Sequence, residues 1–131
     1  MMFWVAGQPI GKGRPRFSKF GVYTPAKTKA AEKRIAAIAS DAMQEQGLEP
    51  IKGACAVHIV AKMQVPVSWT KKKQAAALLG DVPPSKPDID NIAKLVLDSI
   101  NGVCYEDDAQ IILLSVTKVF AQEVGTLVRV D

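Results

Sequence analysis

The sequence predicts a single α+β domain, with a mixed sheet of about four strands and helices packed on one face of it. Three observations carry that expectation. Apolar residues recur at helical spacing over 24–46 and 89–101, and they alternate at strand spacing over 54–65. Short strand-like runs also open and close the chain, at 3–6, 110–120 and 126–130. Finally, 131 residues with 48% hydrophobic content suffice for one real core, and one domain is expected over 1–131.

Phe3-Trp4-Val5-Ala6 is the first strand, cut off by Gly7 and Pro9. Residues 8–23 form a basic arm in which Phe17, Phe20 and Tyr23 lie between glycines and cations, and an ordered arm or hairpin along nucleic acid is expected. Glycine permits close approach of backbone to phosphate, and the rings could stack on exposed bases or simply pack the arm onto the domain. Thr24-Pro25 starts a helix, with threonine as cap and proline in the first turn; it runs to about Gln46 and stops at Gly47. Its core stripe is Ala31, Ile35, Ile38, Ala39 and Ala42. Over Ala54–Val65, Val57, Ile59, Ala61 and Met63 alternate with other residues, which reads as a strand ended by Pro66. His58, the one histidine, falls on the alternate face, where a structural role is expected over that of a base. A short helix follows from Lys71 to Leu79, and 80–85 is a loop. From Ile89 the chain is again helical, with Ile89, Ile92, Ala93, Val96, Leu97 and Ile100 on one stripe and Gly102 as the stop.

Charge is strongly segregated. The overall balance is +4, but residues 12–34 carry eight cations against one acid, while residues 81–108 carry seven acids against Lys86 and Lys94. The basic part suits phosphates. An acidic patch beside it would repel DNA unless a metal occupied it, so the pattern fits a nuclease better than a simple binding module. Cys55 and Cys104 each lie in apolar sequence and are expected as reduced core thiols. No apolar run is long enough to span a bilayer and the first residues lack a signal-peptide pattern, so a cytoplasmic protein is expected.

The chemistry concentrates in Lys86-Pro-Asp-Ile-Asp-Asn-Ile-Ala-Lys94. Asp88 falls in the cap or first turn of its helix, and Asp90, Asn91, Lys94 and Asp98 share the polar arc. Unpaired N–H groups and the positive dipole end favour ionised Asp88 and Asp90. Two carboxylates held close repel, a divalent cation relieves the repulsion, and hard oxygen ligands suit Mg²⁺. The competing reading is structural: Asp88 caps the helix, and Asp90, Lys94 and Asp98 form a ladder of weak surface ion pairs. A second acidic group, Glu106-Asp107-Asp108-Ala109-Gln110, precedes the apolar run 111–116.

Together, Lys86-Pro-Asp-Ile-Asp-Asn, Lys94, Asp98 and Asp108-Ala-Gln-Ile resemble the RusA-type Holliday-junction resolvases, and Pro9-Ile-Gly-Lys-Gly-Arg-Pro-Arg-Phe is similar to the opening of many members. The resemblance implies a RusA-like fold whose acidic catalytic segment is 86–110. It implies an endonuclease that resolves four-way junctions by paired symmetric cuts in DNA recombination and repair. Asp88, Asp90 and Asp108 match the family's catalytic aspartates and would hold one or two Mg²⁺ ions, with Mn²⁺ a possible substitute. Lys94 matches the catalytic lysine. Asp107 could replace Asp108, Asp98 would orient Lys94, and Asn91 would support a ligand carboxylate. Lys12, Arg14, Arg16, Lys19, Lys27, Lys71, Lys72, Lys73 and Lys86 are the candidate phosphate contacts. Branched DNA and a second copy in a homodimer are the implied partners, with no membrane.

One geometric question stays open. The helix from Asp90 to Asn101 is about 16 Å long, and residues 102–107 could reach back about 20 Å if extended. A return of Asp108 to Asp88 within one subunit is favoured over a meeting across a subunit boundary. The alternative function is a protein that binds branched DNA without cutting it.

Overall fold

In a computed structural model of residues 1–131, the chain forms three α-helices and two sheets. The main sheet contains β1 (Met2–Ala6), β4 (Cys55–Met63), β5 (Ile111–Phe120) and β6 (Gly125–Val130), in the order β1-β6-β4-β5. β6 runs antiparallel to β1 and β4, while β4 and β5 are parallel, so the sheet is mixed as expected. The parallel step requires a crossover, which α2 (Lys71–Leu78) and α3 (Ile89–Ile100) supply. The arm forms a separate hairpin of β2 (Arg16–Ser18) and β3 (Gly21–Tyr23) ahead of α1 (Ala26–Glu45).

β4 shows why one sheet face carries the core. Cys55, Val57, Ile59, Ala61 and Met63 are buried, while the residues between them are partly exposed. Val128 and Val130 of β6, Phe3 and Val5 of β1, and Ile35, Ala39 and Met43 of α1 join the same cluster. α3 lies in the middle of it, packed against α1 and reaching the sheet at β5. Because two sides of α3 are covered, its buried set is wider than one stripe: Leu95 and Ser99 join Ile92, Ala93, Val96 and Ile100. The buried Ser99 hydroxyl donates to the Leu95 carbonyl, so it is satisfied. Ile89, expected in the stripe, is 43% exposed because it precedes the point where α3 enters the core.

One further expectation changes. Pro25, not Thr24, is the cap residue of α1, and no side chain caps that helix end. Proline with ψ near 145° leaves the chain extended up to the first helical residue. Helix α2 does have a cap: Thr70 accepts from the Lys73 N–H at 3.2 Å. Both cysteines are free and buried, as expected. No helix is long and apolar enough to cross a membrane.

Candidate active site and nucleic-acid interface

The arm and the acidic helix start, separate in sequence, meet in space. The Lys12 N–H donates to the Asn91 carbonyl at 2.9 Å, so Gly11-Lys12-Gly13 lies as a strap across the first turn of α3. Gly11 is required there. A Cβ on it would come within 2.9 Å of the Asn91 Cβ and 3.0 Å of the Pro87 Cβ. Gly13 is held in the same way: its N–H donates to the buried Thr28 hydroxyl at 3.0 Å, and a Cβ would fall 2.8 Å from that oxygen. The strap divides two open grooves. Arg14, Arg16 and Lys27 line one, and Lys86, Asp88 and Asn91 line the other.

Asp88 is the cap residue of α3 by backbone position, with its carbonyl accepting from Asn91 and Ile92 N–H at 3.1 Å. Its carboxylate makes no capping bond; its contact is Lys86 Nζ at 3.1 Å, an exposed and weak pair. Asp90 sits in the first turn and forms no ion pair. The surface ladder of the structural reading is missing: Lys94 pairs with neither Asp90 nor Asp98, and it is exposed. Asp98, expected to orient Lys94, instead accepts from Lys12 Nζ, which also lies 3.4 Å from Glu32. The hydrogen bond to Asp98 raises the Lys12 pKa above its ordinary 10.5. Lys12 therefore acts as a clasp between strap and α3, with its charge already partnered, and it is the least free of the nine candidate phosphate contacts. Arg14, Arg16, Lys19, Lys27, Lys71, Lys72 and Lys86 are exposed, while Lys73 lies 4.0 Å over the Trp69 ring.

Asp108 is at the other end of α3. Residues 102–107 do not run back, because they turn where the helix stops. Cys104 and Val103 N–H groups bond the Ile100 carbonyl at 3.0 Å, and Gly102 N–H bonds the Tyr105 carbonyl at 2.9 Å. Cys104 and Tyr105 are buried, and the Tyr105 hydroxyl donates to the Leu97 carbonyl at 2.8 Å. Burial raises the Tyr105 pKa far above its usual range, with the charge of Asp108 adding to the effect. Gln110 then fixes the segment, donating to the Ile51 and Gly53 carbonyls at 2.7 Å. Meanwhile Lys118, near the other end of β5, donates to the Pro87 carbonyl at 3.1 Å. Seven residues of strand separate Ile111 from Lys118, about 23 Å. Accordingly no group of three His, Cys, Asp or Glu side chains within one chain could hold a metal. The favoured return of Asp108 within one subunit does not occur, since burying Cys104 and Tyr105 outweighs any use of the chain's reach.

The choice between Asp107 and Asp108 is clearer. Asp107 accepts from the Ala109 N–H at 3.1 Å while its own N–H donates to Gln110 Oε1 at 2.8 Å, a capping box on the short turn Asp108–Gln110. The Asp108 carboxylate has no such bond and is exposed. Two features were not legible beforehand. The Tyr105 anchor lies in a polar-looking stretch, and the Lys118 hook on Pro87 lies inside an apolar strand.

The aromatics of the arm do not pack it down. Phe17 is 82% and Phe20 is 89% exposed, and Tyr23 is about half exposed. His58 bonds Ser115 at 2.7 Å, on the sheet face opposite the buried Val57 and Ile59.

A family model described as endodeoxyribonuclease RusA matches residues 6–131. An uncharacterized protein of Bacillus subtilis (strain 168), YqaN, is 36% identical over 128 residues, which is 92% of this chain and 88% of that protein.

Proposed function

Because this chain belongs to the RusA family of endodeoxyribonucleases, we propose that it is a divalent-metal-dependent endonuclease resolving Holliday junctions during DNA recombination and repair. The observation that carries this reading is the basic strap seated on the acidic end of α3, with Asp88, Asp90 and Lys94 left unengaged by caps or internal ladders. Asp88, Asp90 and Asp108 are the proposed ligands, and their all-oxygen donor set fits Mg²⁺, with Mn²⁺ as a substitute. One chain supplies only the first two at one place, so the third comes from a second chain of a homodimer. When bound, the metal would activate water and stabilise the leaving 3′ oxygen, leaving a 5′ phosphate. Lys94 neutralises charge on the phosphoryl oxygens, and Asn91 steadies the turn that carries the carboxylates. Arg14, Arg16 and Lys27 hold the backbone in the adjoining groove, and Phe17 and Phe20 stack on bases exposed at the crossover.

The scattering of the three acids within one chain favours one second reading, a protein that binds branched DNA without cutting it. Asp88→Asn, Asp90→Asn and Asp108→Asn separate the two. As a nuclease, each variant loses Mg²⁺-dependent cleavage by about 10²-fold or more and still binds a labelled four-way junction, as tightly as the parent or tighter. Variants that cut as well as the parent would sink the assignment of these residues.

A further inference from the structure

The loop that leads into Asp88 is tied to the domain by very little. The Asp81 N–H still bonds the Ala76 carbonyl at 3.0 Å, but no residue from 82 to 87 takes part in a backbone–backbone hydrogen bond; such bonds resume at the Asp88 carbonyl. Pro83, Pro84 and Pro87 have no N–H to give. Packing does not compensate, since Val82, Pro83 and Pro84 line a cavity of about 360 Å³ against Ala77, Lys118 and Phe120. Asp88 has no side-chain capping bond, and its one ion-pair partner, Lys86, belongs to the same loop. Helix α3 therefore fixes Asp88 from one side only.

A single side chain secures the other side. Lys118 Nζ donates to the Ser85 carbonyl at 2.5 Å and to the Pro87 carbonyl at 3.1 Å, and no other hydrogen bond joins 82–87 to the body of the domain. The place of this lysine in β5 is unusual. Leu114, Val116 and Lys118 pair in register with Val57, Ile59 and Ala61, which are buried, so a cation interrupts the apolar alternation on the helix-covered face. Lys118 forms no ion pair there. Covering a cation costs free energy, and an apolar residue would simply continue the alternation. What the lysine supplies instead is three N–H donors on a flexible stem, enough to gather two carbonyls that no backbone donor reaches.

We propose that Lys118 is a positioning residue: by tying Ser85 and Pro87 to β5, it sets where the Asp88 carboxylate and the Lys86 ammonium stand for the metal and the DNA phosphate. That role rests on reading Asp88 as a metal ligand. Lys118 touches neither metal nor DNA; it orders the loop before either arrives, so binding does not have to order it.

Lys118→Met keeps the apolar stem and deletes the donors, while Lys118→Arg keeps donors at the same place. Methionine continues the apolar alternation and the freed carbonyls can take water, so the urea midpoint of Lys118→Met is expected near that of the parent. Amide hydrogen exchange, with no metal or DNA present, reads the loop directly. In Lys118→Met the Asn91 and Ile92 amides, which bond the Asp88 carbonyl, are expected to exchange several-fold faster, while those of β4 and β6 do not change. Nicking of a four-way junction reads the site: Lys118→Met is expected to need about tenfold more Mg²⁺ for half-maximal rate, with a smaller change at saturating Mg²⁺. Lys118→Arg is expected to restore most of both properties. Exchange at Asn91 and Ile92 equal to the parent's, or faster exchange throughout β4 and β6 with a lowered urea midpoint, overturns the positioning role. So does an unmoved Mg²⁺ midpoint in a parent that cuts, and the nuclease reading then stands without it. A parent that never cuts removes the nuclease reading and the role toward metal together, and the exchange rates alone then decide whether Lys118 holds the loop.

Discussion

Gly11 lies where the strap and the first turn of α3 nearly touch, and the contacts a side chain would make are with Cβ atoms that cannot rotate away. Gly11→Ala should therefore destabilise the fold by about 1–3 kcal/mol through overpacking; a urea midpoint unchanged from the parent would show that the strap is not seated as described. Cys104 is set by burial instead. Its thiol is pushed up from 9.0 to about 11, so the thiolate is scarce in the folded protein at neutral pH. The folded value is the higher one, so the stability associated with this thiol is fully present below about pH 9 and lost as pH rises through 11. Iodoacetamide at pH 8 should leave Cys104 unmodified in the native protein and label it once urea unfolds the chain; equal labelling in both states would contradict its burial. At this scale the sequence was partly legible. Asp88, Asp90 and Lys94 could be picked out by type and spacing. The partners of Lys12 could not, because Asp98 and Glu32 come from different helices that only folding brings together.

α3 was the most legible element, since a 3.6-residue period over 12 residues sets both its limits and its polar face. Leu95 and Ser99 lie outside that stripe, because burial on two sides depends on α1, which a local pattern does not report. The arm was legible as a basic, glycine-rich segment, yet only the structure separates its two halves: residues 11–13 are strapped to the domain, and 16–23 form a hairpin that projects from it. That separation makes a prediction. Phe17→Ala with Phe20→Ala should leave stability within about 0.5 kcal/mol, because both rings are solvated. The same pair should weaken junction binding by about 1–3 kcal/mol for each base stacked. Filter binding at fixed salt measures this, and unchanged affinity would return the rings to a passive role.

For the whole molecule, strand order was beyond the sequence because every pairing of the main sheet is non-local; Met2 pairs with Arg129 across nearly the entire chain. The same limit hid the position of Asp108. Chain length bounded how far residues 102–107 could reach, but the buried Cys104 and Tyr105 decided where they stayed. One end of α3 thus presents two acids and a lysine beneath a basic strap, the other presents a third acid, and an apolar edge strand runs between them. The central claim is that this arrangement cuts branched DNA with a divalent metal. The most direct measurement is incubation of the purified protein with an end-labelled four-way junction, in Mg²⁺ and in EDTA. Paired symmetric nicks with 5′-phosphate ends in Mg²⁺ only are the predicted result, and a junction that is bound but stays whole under every divalent cation tried would contradict it.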